Sequence, residues 1–127
     1  MAITHVTTIR NGLADYVVDA IDSGTTDSGG DLVIMTSGDV EVATLGFSDP
    51  AFGAAASGTA TAGGISSDTS ATGGTAALFK VQDKDNGEVF RGTVTATGGG
   101  GDLQLSSVNI GSGDTVSVTS FTYTASN

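Results

Sequence analysis

The stretch VQDKDNGEVFRG, positions 81 to 92, holds the densest group of residues able to do chemistry. Asp83, Asp85, Asn86 and Glu88 offer hard oxygen donors of the kind calcium takes, with a glycine among them. The spacing is wrong for an EF-hand loop, which wants glycine at its sixth position and an acid at its twelfth. Counted from Asp83, Gly87 is fifth and the twelfth residue is Val94. The same residues read better as a turn, because Asn-Gly is the strongest short hairpin signal. A two-residue loop of Asn86 and Gly87 predicts that position 85 pairs with 88, 83 with 90, 81 with 92 and 79 with 94. Phe79, Val81, Phe90 and Val94 then share one face, and Lys80, Gln82, Arg91 and Thr93 the other.

Elsewhere the sequence is poor in chemistry. His5 is the single histidine and has no acidic neighbour in the local sequence. There is no G-x-S-x-G, and the glycine-rich stretches lack the lysine of a phosphate-binding loop. Without cysteine there are no disulfides and no thiolate-metal sites. With no tryptophan and two tyrosines, platforms for sugar stacking are scarce. No residue is assigned as catalytic, cofactor-binding or metal-ligating, and the chain is not expected to be an enzyme. Asp15, Asp19 and Asp22 read as a solvated helix face. The four cations, Arg10, Lys80, Lys84 and Arg91, read as local partners for acids, with Lys80 and Arg91 as a small basic spot on the polar face of the hairpin.

Fourteen acids against four bases give the 127 residues a net charge of −10. Phosphate backbones and anionic membrane surfaces both select lysine and arginine, so neither DNA, RNA nor a membrane is an expected partner. The first 22 residues lack the basic and apolar regions of a signal peptide, and no run reaches membrane-spanning length. Twenty glycines, abundant Ser, Thr and Ala, and frequent turns point to an all-β domain of short strands.

The elements that must position these residues follow from periodicity. Val6, Ile9, Leu13, Val17 and Ile21 recur at helical spacing, which predicts an amphipathic helix over about 5–22 that packs by this face, with Thr4 as its N-cap. The remainder, 32–126, predicts a single β-sandwich or jelly-roll-like domain, making one mainly β domain of 1–127. LVIMT (32–36) is a fully apolar strand. VEVATLGF (40–47) switches parity, so a bulge is expected near Ala43–Thr44. SGTATAG within 54–76 is a weak strand of small residues. LQLSSVNI (103–110) and TVSVTSFTYTAS (115–126) follow, the latter with a bend near Thr119–Ser120. Phe121, Tyr16 and Tyr123 read as core or half-buried packing, with interface anchoring as the other use.

Three stretches together, MAITHVTTIRNGLADYVVDAID, GDVEVATLGFSDPAFGAAASGTATAGGISSDTSATGGTAALFKV and GDLQLSSVNIGSGDTVSVTSFTYTAS, carry a resemblance over nearly the whole chain. In layout the chain resembles small virion structural proteins of tailed bacteriophages, of the capsid decoration (cement) type. The resemblance implies a protein of the capsid exterior, assembled in the host cytoplasm, that binds the major capsid protein lattice as a homotrimer and stabilises the mature head. It transfers no contact residues. From the residues themselves, Ile3 and Thr4 in an N-terminal arm (Met1 to Thr8), Pro50 and Phe52 beside a turn, and the small-residue stretch 54–76 are the expected partner contacts. Two other functions stay open: a head–tail or tail accessory protein, and a surface carbohydrate- or host-binding module.

Overall fold

The computed structural model describes residues 3–125. Helix α1 (Thr7–Asp19) runs into a 3-10 turn, Ala20–Asp22. Among the described residues nine strands follow: β1 (Asp31–Met35), β2 (Glu41–Gly46), β3 (Thr59–Thr61), β4 (Gly74–Thr75), β5 (Leu78–Gln82), β6 (Glu88–Ala96), β7 (Leu103–Leu105), β8 (Asn109–Ile110) and β9 (Thr122–Thr124). The fold is mainly β, with a curled sheet in the order β2-β1-β5-β6-β7 and two small sheets, β3-β9 and β4-β8, forming a sandwich-like domain. Among the described residues no helix is long and apolar enough to cross a membrane.

The central strand β1 is buried from Leu32 to Met35, as its unbroken apolar run requires of a strand covered on both faces. Its pairing with β2 slips between Ile34↔Ala43 and Met35↔Glu41. The extra residue is Val42, one position before the expected bulge, and it lets Val42, Ala43 and Leu45 all reach the core. On the open edge of β2, the Asp68 carboxylate accepts the Thr44 N–H at 2.9 Å, so a charged group occupies an edge donor.

The β5–β6 hairpin differs from expectation in its turn. Asp83 N–H donates to Gly87 O at 2.9 Å, and Asn86 alone takes positive φ, at 64°. The loop is therefore Lys84-Asp85-Asn86, the three-residue kind with its last residue left-handed. The Asp83 carboxylate causes it by accepting the N–H groups of Asp85 (2.9 Å) and Gly87 (2.8 Å). That loop alone would set Val81 against Val89 and turn every face over; the register shift between Val81 and Gln82 takes up one further residue of β6, so that Val81 faces Phe90 and Phe79 faces Gly92. The slip from the expected pairs is two residues, and a slip of two preserves the face of every side chain. Phe79, Val81 and Val94 are buried on that face and Phe90 is half-buried, as the pattern predicts. Gly92 is required here: a Cβ would meet the Phe79 ring at 2.7 Å.

Strand β7 runs parallel to β6, with Val94↔Leu103 in register. The loop between them folds back flat on β6, and a Cβ at Gly99 or Gly101 would lie 2.7 or 2.9 Å from Thr95 atoms. The predicted C-terminal strand is broken: Val116 only bridges Asp68, the chain bends at Thr119, and β9 resumes at Thr122. Val116, Val118 and Phe121 are all buried, so the bend performs the parity switch.

All five phenylalanines meet in the core. Phe121 is their hub, with ring centroids 6.3 Å from Phe47, 6.0 Å from Phe52, 5.4 Å from Phe79 and 6.3 Å from Phe90.

Candidate interaction surfaces

Helix α1 sits on the domain with its polarity reversed. Its inward face is Asn11, Ala14, Asp15, Val18 and Ile21, positions that recur at three and four residues and so lie on one side. Ala14, Val18 and Ile21 are fully buried. The polar members hold the backbone of the segment from Ala51 to Gly58. Asn11 Oδ1 accepts the Gly58 N–H at 2.7 Å, Asp15 Oδ1 accepts the Ala55 N–H at 2.7 Å, and Asp22 Oδ1 accepts the Ala51 N–H at 2.9 Å. Asp15 and Asp22 are thus clasps rather than a solvated face. Burial raises the Asp22 pKa against the opposing effect of its bond to Ala51.

The outward face carries the apolar residues. Val6 is 70% exposed, Ile9 51%, Leu13 44% and Tyr16 80%, and Ile3 ahead of the helix is 65% exposed. Of the five positions predicted to pack, Ile21 is buried and Val17 half-buried, while the other three face outward. The cause is the clasp set: once Asn11, Asp15 and Asp22 bind the 51–58 backbone, the ridge from Val6 to Leu13 must turn away. Val6, not Thr4, occupies the N-cap position and makes no side-chain cap bond.

The four expected contact residues separate into two groups. Ile3 and Thr4 are exposed ahead of α1, and Met1 and Ala2 of the same arm lie outside the described residues. Pro50 is exposed. Phe52 is 5% exposed and packs 5.6 Å from Phe47, so its ring belongs to the core and is not presented to a partner. Burying an aromatic ring in a ready cluster is worth more than leaving it on a turn, which the local sequence around Pro50 does not reveal.

The acids of the hairpin tip are engaged within the chain. Asp83 holds its own turn, Asp85 Oδ1 accepts the N–H groups of Thr25 and Thr26 at 3.0 Å each, and Glu88 binds Arg91. The bonds to Thr25 and Thr26 hold Asp85 below the ordinary carboxylate range, and Arg91 does the same to Glu88. Of the basic spot, Arg91 is engaged, binding Glu88 at 2.8 Å and Asp39 at 3.2 Å; at the hairpin tip Lys84 binds Asp49. Among the described residues no group of three or more His, Cys, Asp or Glu is arranged to hold a metal.

A second surface is an open cleft of about 340 Å³ between β6 and β9. Phe79 and Phe121 form its floor, and Phe90 and Tyr123, 5.1 Å apart, line its wall with Arg91 and Asp102. Sequence periodicity placed Phe90 on the core face but gave no sign that Tyr123, 33 positions later by the numbering, would stand beside it. Asp102 is committed to Thr93, whose N–H and Oγ1 lie 3.1 Å from Oδ2.

Comparison of the chain with protein-family models, curated proteins and solved structures found no match.

Proposed function

We propose that this protein is a virion component of the capsid decoration type, a homotrimer that binds the outer surface of the major capsid protein lattice and stabilises the mature head. Its work on this reading is contact and not catalysis. The observation that carries the proposal is the exposed apolar row from Ile3 to Tyr16 on a body of net charge −10. Apolar rows of this length on a small domain mark a surface that another chain covers, which in a homotrimer is a neighbouring copy. The acidic body suits an outer position away from packaged DNA, since it repels phosphate. Stabilisation would be a mass-action effect, because a ligand that binds only the assembled lattice favours that lattice.

The test is sedimentation of purified protein with expanded empty heads and with free capsid subunits, followed by thermal melting of the heads. Binding to heads alone, with a raised melting temperature, supports the proposal. A protein that ignores heads, or binds subunits equally, removes it.

The cleft favours a second reading, a carbohydrate- or host-binding module. Half-buried Phe90 and Tyr123 line it together with Arg91 and Asp102, which are already bonded within the chain, so apolar contact would carry most of the binding. Glycan-array binding that disappears in Tyr123→Ala would establish it in place of the capsid role.

A further inference from the structure

We propose that the outward face of α1 is a helix–helix seam occupied by α1 of a second copy of this chain. The proposal deepens the reading of the protein as a homo-oligomer, and it names the surface that holds the copies together.

The spacing comes first. Val6, Ile9, Leu13 and Tyr16 follow one another at three, four and three residues, and Ala20 continues the series. A strict alternation of three and four keeps a narrow stripe in line along a helix, which is the pattern of two helices packing along their length. A helix that merely rested on a flat surface would have no need of it. Such a stripe is self-complementary, so another α1 fits it.

Charge selects the same occupant. Two copies of a chain carrying −10 repel each other over most of their surfaces. The first 14 residues contain no acid at all. Within the helix, Asp15 is turned inward to Ala55, Arg10 reaches across Gly58 toward the Ala125 carbonyl, and the one exposed acid, Asp19, stands in the last turn at the flank of the stripe and not on it. The seam is therefore the neutral strip of an acidic molecule, the place where two copies meet with least repulsion.

Gly12 gives a third observation. It lies in mid-helix beside the seam, and a Cβ there would meet nothing within 4 Å. Nothing in the chain's own fold needs a glycine at this place, whereas a bare backbone beside an apolar stripe lets a neighbouring helix approach closely. Size then favours three copies over two. A standard interface takes about 800 Å² from each partner, and α1, with 13 residues, is about 20 Å long. One flank of so short a helix supplies little of that area. In a closed ring of three, each helix touches two neighbours.

The experiment is the solution mass by light scattering across a concentration series, for the wild type, Leu13→Glu, Ile9→Glu and a control, Val40→Glu, whose parent side chain is 62% exposed elsewhere. Far-UV circular dichroism checks that each is folded, and the outward position of both seam residues leaves the core untouched. The expected result is an oligomeric wild type and control, and monomers for both seam variants. A monomeric wild type at the highest concentration overturns the seam, as does an oligomer that survives both substitutions. Head binding is measured separately. A monomeric wild type that still decorates heads sinks the seam alone, and a seam-dependent oligomer that ignores heads sinks the capsid role alone.

Discussion

Asp85, at the tip of the β5–β6 hairpin, accepts the backbone N–H of Thr25 at 3.0 Å across 60 positions of sequence. The hairpin tip thereby fastens the loop that leaves α1, and the Thr26 N–H shares the same oxygen. Gly24 permits the approach. It has φ of 108°, and a Cβ there would fall 2.7 Å from the Asp85 carboxyl.

A pH dependence follows from this clasp. The bonds from Thr25 and Thr26 lower the folded pKa of Asp85 below its ordinary 3.8. A lowered carboxylate contributes stability that is present above the unfolded value and lost as pH falls through the folded one. Asp85→Asn is expected to lower the urea midpoint at neutral pH, and the gap to wild type should close as pH drops below 3.8. Asp31 acts with the opposite sign: burial raises its pKa, so its protonation on mild acidification favours the folded state. Urea titrations of Asp85→Asn and Asp31→Asn over an acid series separate the two, and a pH-independent gap for Asp85→Asn would contradict the clasp.

The aromatic hub gives a stability prediction. Phe121 is 5% exposed and touches the other four phenylalanine rings. Phe121→Ala is expected to cost about 3–5 kcal/mol, the range for truncating a buried aromatic. Phe52→Ala belongs in the same range, because its ring is core. Denaturant unfolding measures both, and a loss below about 1 kcal/mol for Phe52→Ala, typical of a surface change, would return that ring to the surface.

How far the sequence revealed these features depends on the range of the interaction that decides each one. Alternation placed Phe79, Val81 and Val94 inside although the turn differed, because face survives a slip of two. The bulge in β2 was visible in the parity switch between Val42 and Leu45, since both must be buried. The helix was legible as a helix, with an end at Asp22, yet its orientation was not. Apolar spacing finds a stripe without saying whether the same chain or another one covers it. Orientation here is set by Asn11, Asp15 and Asp22 reaching backbone donors 29 to 47 positions away, which no local pattern records. The cleft, too, depends on Tyr123 arriving beside Phe90 from the far end of the chain.

The helix clasp is itself testable. Asp15 Oδ1 is the acceptor for a part-buried Ala55 N–H at 2.7 Å. Asp15→Ala leaves that donor without its partner, at an expected cost of about 1–3 kcal/mol. Hydrogen exchange should show the Ala55 amide, and the Gly58 amide held by Asn11, losing protection together while the β1 amides keep theirs. Uniform loss of protection across β1 as well would mean that α1 and the sheet unfold as one unit.

Gly12→Ala separates the helix from the seam. A glycine inside a helix is less favourable than alanine by about 1 kcal/mol, and the added methyl meets nothing in its own chain. In the Leu13→Glu background, where self-association is removed, Gly12→Ala is expected to stabilise the monomer by about 1 kcal/mol, read by denaturant unfolding. In the otherwise wild-type chain the same methyl stands at the flank of the packed helices and should weaken association, so that the oligomer dissociates at a higher protein concentration than wild type. Opposite signs in the two backgrounds identify glycine as a concession to a neighbouring helix. A gain in both would show that the seam leaves room for a methyl at position 12, and that close approach is not the reason for the residue.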